Sequence, residues 1–325
     1  MSFKKIEDFI IKHNLIEQDS TIILGLSGGP DSVFLFHFLL YLKTKLPFIF
    51  ICAHLDHEWR KESREDVEFC RNLCKIHSIV VECKKISELP IKIKSRGSKE
   101  DVARNYRRFF FEKIKKKYGA HAIAVAHNQD DQVETFFIRL IRGTTVSGLS
   151  CMHPLQNNYV RPLLETSKQT ILDYLKEKHL TYRFDATNLS RDYLRNRIRL
   201  DFLPSLQKID ARSKKNILKT IDSMQQTEAF IKGTTRAMLS KITDKNNTLN
   251  VKALLALDDI FLQRRVILEW LYFSQISFNI STKLIDEILR FLDNKKSTSH
   301  QFNTWKISKK KFQASIVKAS INPHH

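Results

Sequence analysis

Apolar and polar positions alternate in blocks along the first part of the chain. Apolar runs typical of buried strands are separated by longer segments in which apolar residues recur at helical spacing. The predicted strands are Thr21–Leu26, Phe48–Leu55, Ile79–Cys83 and His121–Ala126, and the predicted helices between and after them are Ser32–Lys45, Lys61–His77, Lys99–Tyr118 and Gln129–Arg142. This order predicts an α/β fold, with a parallel sheet covered by helices on both faces and right-handed crossovers.

The pattern changes in the last third of the chain. Another helix is predicted over Thr166–His179, and after about Ser213 the apolar residues recur at helical spacing only. We therefore predict two domains, residues 1–213 with the sheet and residues 214–325 as a smaller, mostly helical and basic domain. From Lys295 onward there are seven lysines and no acid, which indicates either a solvated basic tail or a surface that faces RNA.

Charge and cysteine usage narrow the class of protein. The 55 basic and 35 acidic residues give a net charge of +20, which favours a polyanionic partner, nucleic acid ahead of an acidic membrane. Glu7 and Asp8 interrupt the first apolar pattern, which predicts an amphipathic helix rather than a signal peptide. No run is long enough to span a membrane. The five cysteines include no C-x-x-C pair, which is typical of reduced thiols in a cytoplasmic protein.

Three of the eight glycines lie in the segment GLSGGPDS, residues 25–32, between the first predicted strand and the next helix. Glycines let backbone N–H groups close on an anion, and the following helix N-terminus adds its dipole. Ser27 and Ser32 are suited to donate to phosphate oxygens, whereas Asp31 either holds Mg²⁺ or caps the helix. The segment lacks the Gly-Lys-Ser/Thr ending of a Walker A loop and is not G-x-G-x-x-G.

The string SGGPDS resembles the SGGxDS signature of the PP-loop ATP pyrophosphatases, which cleave ATP to AMP and pyrophosphate. Further segments resemble tRNA(Ile)-lysidine synthetases in order and spacing: HLDHEWRKES, EDVARNYR, AHNQDDQVETFFIRLIRGTTVSGLSCM, RPLL and DATNLSRDYLRNRIRLDFLPSL. The resemblance covers residues 22–206 and implies a PP-loop nucleotide-binding domain. It implies that lysine is joined to C2 of the wobble cytidine of the CAU-anticodon isoleucine tRNA, with ATP and Mg²⁺, through an adenylated tRNA.

The resemblance also implies roles for individual residues. Those implied to bind ATP are Ser27, Gly28, Gly29, Pro30, Asp31 and Ser32, with Asp31 as the Mg²⁺ ligand. The residues implied to act in catalysis are Asp31, Asp131 and Glu134. Free lysine is expected at Asp131, Glu134 and His127, and tRNA or phosphate at Arg195, Asn196, Arg199, Arg104 and Arg107.

The acidic pair can also be interpreted without the family. Asp131 and Glu134 are three residues apart at the start of a predicted helix, so their carboxylates share a face. Such a like-charged pair needs a cation, either a metal ion or an ammonium group, although acids at this place also simply favour a helix N-terminus. The resemblance favours capture of lysine, with one carboxylate accepting the proton of the attacking amine. His127 is either a polar wall of this pocket or a structural histidine.

The arginines have an alternative interpretation as well. Guanidinium groups bind phosphate in a bidentate manner and keep their charge, but alternating arginines also suit a solvated helix face. The family's R-N-x-x-R pattern maps onto Arg195, Asn196 and Arg199. Arg104 and Arg107 belong to a basic run that we expect to attract the RNA backbone in general.

The chain departs from the family pattern at two places, and other functions remain open. Glu58-Trp59-Arg60 stands where the family has Gly-Leu-Arg, so we expect a turn that uses positive φ to be built differently, and Arg107-Arg108 replaces Arg-Tyr. One alternative is a tRNA thiolase of the same superfamily, which the lack of a C-x-x-C pair disfavours. The other is a nucleotide-gated RNA-binding protein without chemistry. The oligomeric state is not predicted.

Overall fold

The computed structural model describes residues 3–59, 63–91, 99–184, 190–276 and 280–319, with backbone only for residues 99 and 100. By compactness the chain divides into two units, Met1–Ser223 and Met224–His325. Within the described ranges, no helix combines the length and the apolar character needed to cross a bilayer.

The described chain contains both helices and strands. The helices are α1 (Lys4–Lys12), α2 (Pro30–Lys43), α3 (Ser63–Ile76), α4 (Lys99–Lys117), α5 (Gln129–Arg142), α6 (Val146–Leu149), α7 (Lys168–Glu177), α8 (Leu194–Arg197), α9 (Leu203–Ile209), α10 (Ser213–Ile242), α11 (Val251–Leu255), α12 (Ile260–Phe273) and α13 (Thr282–Asp293). The strands are β1 (Thr21–Gly25), β2 (Ile49–Asp56), β3 (Val81–Lys85), β4 (Ala122–Ala124), β5 (Leu155–Gln156), β6 (Tyr159–Val160), β7 (Leu249–Asn250), β8 (Ser299–Phe302), β9 (Trp305–Lys310) and β10 (Gln313–Lys318).

The first unit is built on a six-stranded sheet in the order β3-β2-β1-β4-β6-β5. Every pairing is parallel except that of β5 with β6 at the edge. Each of the four strands predicted from the sequence lies in this sheet within a few residues of its predicted bounds. The predicted α/β fold with a parallel sheet is therefore confirmed.

Helices cover both faces of the sheet, which explains the nearly continuous apolar runs of the strands. In β1, Ile22 and Leu24 pack into one core with α2 and α7, whereas Ile23 points to the other face and packs with Phe110 and Phe111 of α4. This alternation is the two-residue period of a strand. All three β1 residues are at most 1% exposed, so neither face of β1 is open to water.

A short hairpin that the sequence pattern did not predict extends the sheet. Strands β5 and β6 are two residues each and are joined at Asn157 and Asn158, whose φ angles of 50° and 64° suit a tight hairpin turn. Two-residue strands are too short to leave an alternating pattern. The pairing of Ala124 with Val160 places the residue after β6, Arg161, at the same sheet edge as the end of β4.

The second unit combines helices with an antiparallel sheet in the order β7-β10-β9-β8. Its core surrounds the fully buried Trp270, whose indole N–H donates to the carbonyl of Asn247 at 2.9 Å. The helices agree with the predicted helical C-terminal region. The alternative of a solvated tail after Lys295 is wrong, because residues 299–302, 305–310 and 313–318 form strands. The other alternative, a surface that faces RNA, stays a prediction. Lys309 is buried, and its ammonium donates to carbonyls where α13 ends.

Candidate active site

The predicted site residues gather where β1 and β4 end and α2 and α5 begin. The two strands are adjacent and parallel, so their carboxyl ends meet at one edge of the sheet. Helix α2 starts five residues after β1, and α5 starts five residues after β4. The edge therefore carries two helix N-termini, an arrangement suited to anionic ligands.

The glycine loop, residues 25–32, needs bare backbone at two positions. Gly28 has φ +81°, a left-handed conformation, and a Cβ there would lie 3.4 Å from Cys70 Sγ. A Cβ on Gly25 would lie 2.9 Å from the ring of Phe111. Gly29 then caps α2, and Pro30 occupies the first helical turn, where its missing N–H has no cost.

Two serines fasten this loop to α2. The backbone N–H of Ser27 donates to Ser32 Oγ at 3.2 Å, and the two hydroxyl oxygens are 3.0 Å apart. Ser32 Oγ also donates to the carbonyl of Gly29 at 3.0 Å. Because Ser32 is buried and Ser27 is exposed, the first holds the loop in shape while the second remains accessible to a ligand.

His54 supports the loop from behind, a role that the sequence analysis missed. Its Nδ1 lies 2.9 Å from the carbonyl oxygen of Leu26, which can only accept, so Nδ1 carries the proton. Burial lowers the pKa of His54, and the ring is therefore neutral. The quoted segment HLDHEWRKES contains His54, but nothing local in that segment points to the loop.

Asp31 holds a charged contact that the sequence analysis did not anticipate. Lys168 Nζ lies 2.8 Å from each Asp31 carboxylate oxygen, and Asn128 Nδ2 donates to Oδ1 at 3.1 Å. Burial raises the pKa of Asp31, the charge of Asp131 adds to this, and Lys168 and Asn128 oppose it. Lys168 lies 137 residues further along the chain, which is why no local motif reveals it.

The acidic pair and two of the predicted arginines form one arginine–carboxylate cluster, defined as Asp131, Glu134, Arg195 and Arg199. Arg195 donates to Glu134 at 2.7 Å and to Asp131 at 2.9 Å. Arg199 donates to both oxygens of Glu134, at 2.6 and 3.0 Å. Burial alone lowers the pKa of each arginine, but the two carboxylates outweigh it and raise both pKa values.

The cation that the acidic pair requires is thus supplied by the chain itself. Glu134 is 1% exposed, and its carboxylate accepts three hydrogen bonds from permanently charged groups. Asp131 also accepts from the backbone N–H of Asn128 at 2.9 Å and completes a capping box at the start of α5. The capping alternative is therefore observed in Asp131, and its predicted binding of lysine stays a prediction.

Asn196 contacts the chain that leads into α8. It is buried, and its Nδ2 donates to the carbonyl of Ser190 at 2.7 Å, which fixes the chain that enters α8. A π-helical turn, Ile198–Phe202, follows α8 and leads into α9. The predicted contact of this asparagine with phosphate or tRNA stays a prediction.

His127 shares one electrostatic neighbourhood with several arginines. Its Nδ1 is buried and has no hydrogen-bond partner among the described residues. Burial, together with the charges of Arg161, Arg195, Arg107 and Arg104, lowers the pKa of His127 well below its usual value. His127 is therefore neutral. Arg104 and Arg107 are exposed on α4, and their predicted contact with RNA stays a prediction.

Arg161, in the quoted RPLL segment, was given no role by the sequence analysis. One of its terminal nitrogens donates to the carbonyl of His153 at 2.8 Å, and burial lowers its pKa to about 10. Among the described residues no carboxylate pairs with this half-buried guanidinium, an arrangement that suits an anionic ligand.

The turn after β2 contains a glutamate in the left-handed conformation, at the position where the family pattern has glycine. Glu58 has φ +55°, and its backbone N–H donates to Asp56 Oδ1 at 2.7 Å. Its own carboxylate accepts from the backbone of Ser87 at 2.9 Å. In this chain a glutamate adopts the positive φ of the turn, with side-chain hydrogen bonds on both sides. Arg60 lies outside the described residues, as do residues 185–189 of the last quoted segment.

A cavity of about 220 Å³ opens beside the cluster within the first unit. Its acidic lining residues are Asp31, Asp130 and Glu134, and its basic ones are Lys168, Arg199 and Lys214. Lys214 donates to Asp130 at 2.7 Å, so each of the three acids has a basic partner. The remaining wall is largely apolar, with Val133, Leu203, Pro204, Leu206 and Ile217.

The site fits a magnesium ion only in the company of phosphate. In the described part of the chain, no three His, Cys, Asp or Glu side chains come together to hold a metal ion. Asp31 offers one carboxylate at the glycine loop, and Mg²⁺ is commonly held by one or two carboxylates together with substrate phosphate oxygens.

Comparisons with known proteins show which sequences and which fold this chain resembles. The family profile described as the PP-loop domain matches residues 2–206. The tRNA(Ile)-lysidine synthase of Bacillus subtilis is 37% identical over 303 residues, 90% of this chain and 64% of that protein. The tRNA(Ile)-lysidine synthase of Bacillus cereus is 34% identical over 300 residues, 89% of this chain and 63% of that protein. The chain thus spans less than two thirds of the length of these relatives.

A solved structure supports the fold independently. The U34-tRNA thiolase NcsA from Methanococcus maripaludis, solved with its [4Fe-4S] cluster, superimposes with a TM-score of 0.58. The match covers 69% of this chain and 78% of that one, at 17% identity. At this identity the likeness concerns the fold and not the reaction.

Proposed function

We propose, from the premise that this chain belongs to the PP-loop domain family, that it joins free lysine to C2 of the wobble cytidine of the CAU-anticodon isoleucine tRNA. One observation carries the proposal. The glycine loop and the arginine–carboxylate cluster meet at one sheet edge, in a chain of which about nine tenths aligns with tRNA(Ile)-lysidine synthases.

ATP binds at the glycine loop in this proposal. The exposed Ser27 hydroxyl and the α2 N-terminus face the phosphates, and Mg²⁺ beside Asp31 supplies neutralising charge. The cytidine C2 oxygen attacks the α-phosphate, pyrophosphate leaves, and the lysine ε-amine then displaces AMP from C2. Catalysis of these steps rests on positioning and electrostatics.

The cavity beside the cluster suits a free amino acid. Its paired charges of both signs match an ammonium and a carboxylate, and its apolar wall matches an aliphatic chain. Of the three residues predicted to bind lysine, Glu134 lines the cavity and belongs to the cluster, whereas Asp131 and His127 are not among the lining residues. Asp131 and Glu134 remain the two predicted proton acceptors. Glu134 lines the cavity, whereas the side chain of Asp131 is more exposed, at 16% against 1%.

The net charge of +20 supports tRNA as the partner. In the proposal, residues 1–213 carry the reaction, and residues 214–325 add basic surface for tRNA, including the exposed Lys306, Lys310 and Lys311. The wobble base lies in a single-stranded loop, so no duplex has to open. The reaction takes place in the cytoplasm, where free lysine, ATP and tRNA are available together.

The test mixes the protein with Mg-ATP, radiolabelled lysine and bulk tRNA, and it measures label in RNA together with AMP. We expect both, and we expect neither from Asp31→Asn. AMP formed without lysine label, but with sulfur incorporated from a sulfide donor, would instead indicate a thiolase. ATP and RNA binding with no AMP would indicate a nucleotide-gated RNA-binding protein.

A further inference from the structure

Lys168 occupies a place that helix electrostatics disfavours. It is the first residue of α7, and its ammonium pairs with Asp31 in the first turn of α2. Its backbone N–H donates at 2.8 Å to Asp130, in the first turn of α5. A cation is unfavourable near a helix N-terminus, because the helix dipole is positive there.

The ion pair is not needed to hold α2 against α7. The two helices already share an apolar core, in which Phe34 and Tyr174 pack edge to face with ring centroids 5.1 Å apart, and Ile171 and Leu175 are fully buried. Lys168 itself is 35% exposed along its side chain. An ion pair this accessible adds little to stability, so its position calls for another reason.

The surroundings of Lys168 favour a mobile charge. Its ammonium lies at the cavity that Asp31, Asn128 and Asp130 also line, so its flexible four-carbon stem has room to move. Asp31 accepts all the contacts of that ammonium that the structure shows. A divalent cation arriving at Asp31 with ATP would compete directly with them.

We propose that Lys168 is the resident counter-ion of Asp31 and a phosphate-binding residue: it neutralises Asp31 before nucleotide arrives, and it transfers its hydrogen bonds to the phosphates of ATP when the metal takes Asp31. This role explains why the Lys168 ammonium lies near helix N-termini, where a cation is otherwise unfavourable. The phosphates of ATP bring negative charge to the site, and a cation is then favourable there. This inference rests on the proposed binding of ATP at the glycine loop.

Calorimetric titration of ATP, without lysine or tRNA, tests the inference. At saturating Mg²⁺, Lys168→Met should weaken ATP binding about 10-fold or more, because a charge-assisted hydrogen bond is worth about 1.5–3 kcal/mol and 1.4 kcal/mol is tenfold. The Mg²⁺ concentration for half-maximal ATP binding should fall, because a competing cation is gone. Lys168→Arg should retain most of the affinity.

Two further variants separate the phosphate contact from simple neutralisation of Asp31. The matched control is Lys178→Met, which removes an exposed lysine directly after α7 that pairs with Glu177 at 3.2 Å and should leave ATP affinity unchanged. In the Asp31→Asn background, Lys168→Met should still weaken ATP binding. If it has no effect there, or if Lys168→Met binds ATP as the wild type does, the inference is overturned. If the wild type binds no ATP, the proposed function itself fails.

Discussion

The glycine loop and the arginine–carboxylate cluster lie at the ends of neighbouring strands but are built in opposite ways. The contacts of the loop are local, with Ser27 and Ser32 only five residues apart. The contacts of the cluster join residues that are 61 to 65 positions apart. Contacts between neighbouring residues can be predicted from a short stretch of sequence. Contacts between distant residues can be seen only in the folded sheet.

The two regions are also stabilised by different kinds of interaction. The loop depends on a left-handed glycine and on neutral hydrogen bonds, each of modest strength. The cluster holds two carboxylates and two guanidinium groups out of water, so each charge depends on the others. Removing one member should therefore cost far more in the cluster than in the loop.

The largest expected effect comes from Glu134→Ala. It leaves Arg195, whose side chain is 19% exposed, with Asp131 as its remaining partner in the cluster, and we expect the free energy of unfolding to fall by about 3–5 kcal/mol. Urea unfolding followed by circular dichroism measures this. A loss below about 1 kcal/mol would show that water reaches the cluster freely, and the contrast with the loop would disappear.

The next effect concerns pH and His127, which lies against the cluster. The pKa of His127 is lowered in the folded state. As the pH falls below about 6.5, His127 is therefore protonated in the unfolded chain but stays neutral in the folded chain. Stability should therefore fall with acidification, by at most about 2 kcal/mol at pH 5 from this residue. His127→Gln should remove that part of the pH dependence, measured as unfolding free energies at pH 7.5 and 5. Parallel pH profiles for both proteins would contradict the neutral histidine.

The loop offers a pair of adjacent glycines as probe and control. Gly28→Ala forces a side chain into a left-handed conformation, beside Cys70 and Phe69, and should cost about 1–2 kcal/mol of stability. Gly29→Ala has φ −73° and meets only Ser27 Oγ at 3.5 Å, so its cost should be smaller. Equal losses from the two variants in urea unfolding would mean that backbone conformation does not govern this loop.

Much of the first unit was predictable because its signals are local. Long apolar runs predicted β1 and β2, and Asn128 followed by the acidic turn marks the start of α5, whose predicted bounds Gln129–Arg142 agree with the structure. The glycine loop was predicted from eight consecutive residues.

The unpredicted parts depend on distant contacts. Asp131, Glu134, Arg195 and Arg199 were each singled out, but their mutual pairing was not, because a screening cation can come from a ligand as well as from the chain. Lys309 belongs to a stretch that was predicted to be a solvated basic tail or a surface that faces RNA, and neither alternative predicts its burial. Only the folded hairpin brings its ammonium to the carbonyls that end α13.

The smallest expected effect comes from Arg191→Ala, four residues before Arg195. Arg191 pairs with Asp201 at 3.1 Å, but their side chains are 67% and 48% exposed, so the variant should change the free energy of unfolding by less than about 1 kcal/mol. Arg195→Ala should cost several times more, because it leaves the buried Glu134 with Arg199 as its remaining partner in the cluster. Both substitutions remove one positive charge from the same short segment. The difference between their urea midpoints therefore measures the effect of burying the ion pair, not the effect of losing the charge. If the two midpoints coincide at both low and high salt, the cluster is a solvated helix face, and its position at the sheet edge adds nothing to the stability of the protein.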